Sequence, residues 1–363
     1  MSKQKTILFA ALNWGIGHAT RDIPIIDRLI DQGCKVILAS DGAALDVWKR
    51  QYPTLTHLTL PSWNIKYQKR GSFTLKMVTR APYVLRAIQE EREIIDNWID
   101  EYNIDGLISD NRFGVHSTRI PTVFITHQVS LRLNRYLRFA EPVLNYYNHF
   151  YIKKFDRVWV PDFEGEPNLS GELSHRHELN KKLTYIDPIS RFMDVWNGNF
   201  SASKRDVAIV LSGVEPQRTM LEEKLIQQLK DTELRVILVQ GKASDNRNEE
   251  IRPGFKIQSF MDSQELVDTF LDSKYIICRS GYSTILDLAI LKQTALMIPT
   301  PGQTEQEYLA KWMDAEGLIV MQAQKKLKVV PALKKLEKVK GFDFEITDSA
   351  LQQAIQEFLT RLN

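Results

Sequence analysis

The sequence predicts an α/β protein of two Rossmann-like domains, and three observations carry that prediction. Short apolar strand-like runs alternate with helical ones from the N-terminus, the same alternation restarts near residue 206, and a polar Asn/Ser-rich stretch at 190–204 separates the two cycles. The first cycle has strands at 7–11, 35–39, 55–60, 106–109, 122–125 and 157–160, with helices ending at 32, over about 43–50 and over 75–102. The second has strands at 207–211, 235–239, 256–259, 275–278 and 295–298. Residues 1–192 then form an N-terminal domain, 205–345 a second domain, and 346–363 an amphipathic helix. That helix carries Leu351, Ile355, Phe358 and Leu359 on one face and must pack on something. In open parallel sheets ligands sit beyond the carboxyl ends of the strands, so the loops after those strands are where function is expected.

Composition narrows the class. The chain of 363 residues is 43% hydrophobic and 26% charged, which is globular usage, and its net charge of +3 with no zinc-finger, RNP-type or heptad pattern gives no argument for nucleic acid. Cys34 and Cys278 lie far apart in apolar surroundings and read as reduced core residues of a cytoplasmic protein, although an even pair leaves a disulfide open. The first apolar strand starts within a few residues of Met1. No apolar run approaches the roughly 20 residues of a membrane helix, so a secreted or membrane-spanning protein is not expected.

The richest segment is 276–308. A buried strand ends at Cys278, Arg279-Ser280-Gly281 forms a tight turn, and a helix starts near Tyr282, so backbone N–H groups and the positive end of the helix dipole face an anion such as a diphosphate. Asp287 follows Ser283 at i+4 on the face continuing from the turn, with Ile285, Leu288 and Ala289 opposite; a carboxylate there suits the two hydroxyls of a ribose. The next strand runs into Pro299–Tyr308, whose Gln306 and Glu307 suit a hydroxyl-rich sugar. Thr304 and Glu307 also have capping-box spacing, so Glu307 could instead serve the helix start.

Two further loops carry chemistry. The first strand enters Asn13–Arg21, where Gly15 and Gly17 precede His18 and Arg21 at a helix start. The third glycine of a dinucleotide fingerprint is missing, and the acid after the second strand, Asp41, comes two residues late, so a nicotinamide or flavin is not expected. A neutral imidazole at such a place can take a hydroxyl proton near neutral pH, or it can cap the helix or bind phosphate. In the second domain Ser212 and Gly213 allow close backbone approach, and Arg218 can meet a phosphate with two parallel N–H bonds, or lie on the surface. Asp110, Asn111, Arg112 and His127 follow predicted strands and are expected to line the first domain's half of the site, with Asp110 or His127 able to assist or replace His18. No Asp-x-Asp is present, so metal independence is expected. The basic stretch 325–340 reads as a solvated helix face followed by a linker.

The segment Cys278-Arg279-Ser280-Gly281, with Asp287 and the Gln306-Glu307 pair, resembles the donor domain of glycosyltransferase family 28, and Gly15-Ile16-Gly17-His18 resembles that family's glycine-rich loop. The family usually has Glu where this chain has Asp287, and its Gln-Gln pair is half matched by Gln306-Glu307. The resemblance implies a GT-B fold, two Rossmann-like domains facing across a cleft with the C-terminal helix crossing back to the first. It implies an inverting, cofactor-free glycosyltransferase that moves a sugar such as N-acetylglucosamine from a UDP-sugar to an envelope glycan, glycolipid or lipid-linked acceptor. His18 would be the base, Ser212, Gly213, Arg218, Ser280 and Gly281 the diphosphate holders, Asp287 the ribose reader, and Gln306 with Glu307 the sugar readers. Phe260 would stand where the family's backbone reads uracil, or be a core residue.

A cytoplasmic location at the inner face of the membrane would follow. Basic and aromatic stretches at 63–73 and 132–157, the latter with Tyr136, Phe139, Tyr146, Tyr147, Phe150 and Tyr151, suit an anionic membrane or a lipid-linked acceptor, or internal packing. A UDP-sugar hydrolase, a UDP-sugar epimerase and a non-catalytic nucleotide-sugar-binding protein are the alternatives.

Overall fold

The structure, a computed structural model, describes residues 4–63, 73–133, 137–176, 179, 183–196, 198, 204–213, 215–242 and 245–362. The chain divides into two compact units: Met1–Ile65, Thr74–Ile189 and Ile346–Asn363 form the first, Lys66–Phe73 and Ser190–Glu345 the second. Most of stretch 63–73, Tyr136 and most of 197–203 lie outside the described residues.

Each unit is built on a seven-stranded sheet. In the first the strands are β1 (Thr6–Ala11), β2 (Lys35–Ser40), β3 (Thr56–Thr59), β4 (Gly106–Asp110), β5 (Thr122–Ile125), β6 (Arg157–Val160) and β7 (Leu183–Tyr185). They are all parallel, in the order β3-β2-β1-β4-β5-β6-β7. The second has β8 (Arg205–Val210), β9 (Val236–Val239), β10 (Asn248–Arg252), β11 (Phe255–Gln258), β12 (Ser273–Cys278), β13 (Leu296–Met297) and β14 (Val320–Met321) in the order β10-β11-β9-β8-β12-β13-β14. Only β10 is antiparallel there. Setting that edge strand aside, both units follow the doubly wound order, with a switch point between β1 and β4 in one and between β8 and β12 in the other. The central strands read as continuous apolar runs because helices cover both faces, and β1 is buried throughout. Sequence periodicity missed β7, β10 and β14, which are edge strands too short or too polar to show it.

The helices are α1 (Gly17–Arg21), α2 (Ile23–Asp31), α3 (Gly42–Gln51), α4 (Phe73–Glu101), α5 (Glu141–Ile152), α6 (Glu172–His175), α7 (Gln217–Leu229), α8 (Ser263–Leu271), α9 (Tyr282–Ile290), α10 (Thr304–Ala315), α11 (Val329–Leu336) and α12 (Ser349–Leu359). The basic stretch 325–340 holds α11, whose Val329, Ala332, Leu333 and Leu336 are buried while the lysines stay outside. In α12 the face of Leu351, Ala354, Ile355 and Phe358 is buried within the first unit. Phe358 packs edge-on against Trp159 at 6.1 Å, and Arg28 pairs with Asp348 at 3.2 Å. Gly106 makes this seat possible, because a Cβ there would come within 2.7 Å of Phe358 and 2.8 Å of Leu362.

Cys34 and Cys278 are free buried thiols. Among the described residues no helix is long and apolar enough to cross a membrane. At the start of the stretch 190–204, read as a linker, Ser190 and Phe192 are buried in the second unit, and Phe192 packs against Phe270 at 6.0 Å. The polar composition of the stretch hid two residues with a partner in α9.

Candidate active site

In the first unit Ala11 at the end of β1 lies in register with Asp110 at the end of β4. Adjacent parallel strands thus bring together loops almost a hundred residues apart. Gly15, with φ of +81°, turns the chain into α1, whose first residues are Gly17 and His18. His18 Nδ1 lies 2.8 Å from Asp110 Oδ2, and Arg21, one turn on, donates to both oxygens of that carboxylate, its Nε–Oδ2 distance being 3.1 Å. Asn111 donates to Asp110 Oδ1 at 3.2 Å. Arg21 Nη2 is also 3.0 Å from His18 Nδ1, so the imidazole could in principle accept there. Two lone pairs 2.8 Å apart repel, however, so the proton on Nδ1 points to the carboxylate, and Nε2 carries the basic lone pair. On the other side Arg21 Nη1 is 3.2 Å from His127 Nδ1; a guanidinium only donates, so His127 accepts on Nδ1 and is the neutral Nε2–H tautomer.

Asp110 is completely buried. Burial alone would raise its pKa, but the charges of Arg21 and His18 and their hydrogen bonds overcome that and hold the carboxyl well below the usual carboxylate range. It therefore stays an anion, and its oxygens hold the imidazole of His18 and the guanidinium of Arg21 in place. Asp22, also fully buried, is pushed well above the usual range by burial first and by Asp110 second, against the pull of Arg21.

Arg112 is a correction to the sequence reading. Its side chain is wholly buried, bonded to Glu91 Oε1 through Nε at 3.0 Å and Nη2 at 2.6 Å, to Asp41 Oδ1 at 2.9 Å and to the Pro61 carbonyl at 2.5 Å. With its donors consumed inside the unit it fixes the base of the loops and cannot line an acceptor surface.

In the second unit Val210 at the end of β8 is in register with Cys278 at the end of β12. Ser212 and Gly213 leave β8, and Gly213 has φ of +99°, which a side chain would strain. Its missing Cβ would meet only Thr300 Oγ1, at 3.9 Å. The turn Arg279–Gly281 leaves β12, and Gly281 begins α9 with no side-chain cap, so the positive end of that helix dipole lies at this switch point. Ser280 is buried and donates to the Gln306 carbonyl at 2.9 Å; Gln306 Oε1 accepts from Thr300 N–H at 2.8 Å, while its Nε2 stays 3.8 Å from the Cβ position of Gly281. Glu307 accepts from Gly302 N–H at 2.9 Å. The capping box does not form, because Gln303 is the residue before α10 and no side chain caps it. Phe260 is half-buried, and its carbonyl accepts from Gln258 at 3.0 Å.

Asp287 Oδ1 accepts from Ser190 Oγ at 2.5 Å and Oδ2 lies 4.0 Å from Arg191. Burial raises its pKa, opposed by Arg191 and Ser190. Arg218 is not the free cation that its loop suggested: it is buried, with Nη2 2.6 Å from Glu215 and Nη1 2.6 Å from Glu222. The cation that sequence reasoning passed over is Arg279. It is buried at the turn and donates to the carbonyls of Gln217 (2.7 Å), Ile298 (3.1 Å) and Pro299 (3.2 Å) and to Gln324 Oε1 (2.8 Å). Burial lowers its pKa to about 9, so at neutral pH it remains a fixed positive charge answered by neutral oxygens. Nothing in the sequence marked it beyond its place in the turn.

Residues 212–362 match the family model of the glycosyltransferase family 28 C-terminal domain. Among solved structures the chain is similar over its whole length to MurG of Acinetobacter baumannii, with 12% identity, a TM-score of 0.55 and coverage of 98% of this chain and 99% of that one. It is similar to the glycotransferase of kitacinnamycin at 13% identity, TM-score 0.63, covering 100% and 95%. It is also similar to the spinosyn rhamnosyltransferase SpnG complexed with thymidine diphosphate at 12% identity, TM-score 0.62, covering 98% and 96%. No curated protein matches it in sequence. Identities this low speak for a common fold, the family match speaks for the second switch point, and together they make this chain a glycosyltransferase of the GT-B fold whose residues 212–362 are a family 28 C-terminal domain.

Proposed function

We propose that the chain is an inverting, metal-independent transferase that moves a sugar, N-acetylglucosamine or a close relative, from a UDP-sugar to an envelope glycan, glycolipid or lipid-linked acceptor at an anionic membrane surface. The observation that carries this reading is the 2.8 Å contact of His18 Nδ1 with the buried anion Asp110. It supports a single displacement: His18 Nε2 takes the acceptor hydroxyl proton, the oxygen attacks the anomeric carbon, and the bond from that carbon to the diphosphate breaks. The negative charge that builds on the leaving diphosphate is answered by fixed groups, the α9 dipole and the Arg279 guanidinium, which need no reorganisation. Asp287 reads the ribose and Gln306 with Glu307 the sugar. A hydrolase would use the same imidazole on water. The transferase reading is favoured by the aromatic, basic surface of the first unit, which suits an amphiphilic acceptor.

The test is calorimetric titration of UDP, GDP and dTDP into the wild type and Asp287→Ala without metal. Preferred UDP binding that weakens by about 1–3 kcal/mol in the variant is expected. Absence of binding by all three would remove the donor-site reading, and preference for dTDP would change the donor. Metal-free release of UDP that depends on an acceptor separates the transferase from the hydrolase.

A further inference from the structure

Asp22 stands at a helix start and does not cap it. It closes α1 and opens α2, the position at which an aspartate side chain ordinarily accepts from the first backbone N–H groups of the helix. Here no side-chain cap bond forms, and only the Asp22 carbonyl takes part, accepting from Ile25 and Ile26 at 3.0 and 3.1 Å. The side chain is wholly buried, and neither of its oxygens has a hydrogen-bond donor among the described residues. From α3, packed beside α1, Trp48 donates to the Ala19 carbonyl at 2.9 Å and Tyr52 to Asp27 at 2.8 Å, so those donors point elsewhere.

The charged groups that face Asp22 are Arg21 and Asp110. Arg21 Nε lies 3.9 Å from Asp22 Oδ1, beyond hydrogen-bond reach, and the same nitrogen donates to Asp110 Oδ2 at 3.1 Å. Behind them stand His18, 2.8 Å from Asp110, and His127, 3.2 Å from Arg21. Two carboxyls buried side by side cannot both ionise, so the pair holds a proton. Asp110 is surrounded by Arg21, His18 and Asn111 and is the anion. Asp22 has no donor, and an ionised carboxylate buried without one is costly. The proton therefore sits on Asp22: burial first and the Asp110 charge second raise its pKa, and the hydrogen bond to Asp110 raises it further, against the pull of Arg21.

We propose that Asp22 is a positioning residue for proton transfer at His18: as the neutral acid it donates to Asp110 and so limits how strongly that carboxylate stabilises a His18 imidazolium. Asp110 then fixes the ring without holding a second proton on it, and Nε2 keeps its lone pair for an acceptor hydroxyl near neutral pH. The inference rests on His18 as the base of the proposed reaction.

The experiment compares the wild type, Asp22→Asn and Asp22→Leu as full chains. Asparagine keeps a donor towards Asp110, and leucine removes it. In NMR of ring-labelled histidine, the pH at which the His18 ring titrates should rise by about half to one unit in Asp22→Leu and stay within about 0.2 unit of the wild type in Asp22→Asn. The acid limb of the pH profile for acceptor-dependent UDP release should move by the same amounts, which a loss of packing alone does not produce. In infrared difference spectra at neutral pH the wild type should show the carbonyl band of a protonated carboxyl that Asp22→Asn lacks. An ionised Asp22 in those spectra would overturn the proposal. So would a His18 titration that Asp22→Leu leaves in place, or that Asp22→Asn shifts as far as leucine does. The infrared comparison uses only Asp22→Asn, so it stands even if leucine prevents folding. Neither spectroscopy needs donor or turnover, so both decide the role of Asp22 where UDP release fails, and that failure counts against the proposed reaction alone.

Discussion

At the first switch point four ionisable side chains, His18, Arg21, Asp110 and His127, bond to one another within 3.2 Å. At the second the Arg279 guanidinium is answered by carbonyl oxygens and the Gln324 amide oxygen, while Asp287 is held by Ser190 and Glu307 by a backbone N–H. The strand order around both points is the same, and in both a registered pair of strand ends sets the loops side by side, Ala11 with Asp110 and Val210 with Cys278. The sheet therefore decides where chemistry happens, and the first residues after each strand decide which chemistry. A mutually hydrogen-bonded acid, base and cation can move a proton with its partners already placed. A helix dipole and a fixed buried cation can hold charge but have no proton to move.

The largest expected effect breaks the comparison at its chemical end. His18→Ala should lower turnover by about 10²- to 10⁴-fold, measured as nucleoside diphosphate release with acceptor. Asp110→Asn comes next. It should cost turnover through the misoriented imidazole, and stability by about 3–5 kcal/mol because Arg21 is left buried without its anion, as read by chemical denaturation.

The sign of the pH dependence follows from the depressed carboxyl. Asp110 contributes stability that is present above its unfolded pKa of about 3.9 and is lost as pH falls toward its lower folded value, so the wild type should lose its advantage over Asp110→Asn below about pH 4. The smallest effect concerns Asp22, whose shift has the opposite sign. Its folded pKa is raised, so the native state keeps a proton that the unfolded state releases, and stability declines as pH rises from about 3.9 through the folded value. Asp22→Asn should remove that decline, measured as the denaturation midpoint across pH 4–8.

The two regions were unequally legible in the sequence. Apolar runs of 4–6 residues broken by helical periodicity announced the central strands, and the loops after them held the groups that meet at each switch point. What stayed hidden depends on partners far away in sequence. Arg112 reads as one more polar residue after a strand until Glu91 and Asp41 are found beside it, 21 and 71 residues earlier. Arg218 likewise reads as available until Glu215 and Glu222 are seen to hold it. Ser190 and Arg191 looked like linker because a polar stretch carries no periodic signal, although they reach Asp287 across 97 and 96 positions of chain. Around α5 the aromatic residues are plain in the sequence, but which of them face outward is not, since only the bonds of Asn145 and Asn148 show which face is inside.

The most direct test of the division between the switch points is to measure UDP affinity and acceptor-dependent UDP release together for His18→Ala and Asp287→Ala. The account expects His18→Ala to bind UDP as the wild type does while release collapses, and Asp287→Ala to lose about 1–3 kcal/mol of UDP affinity. Full release by His18→Ala, or unchanged UDP affinity in Asp287→Ala, would contradict it.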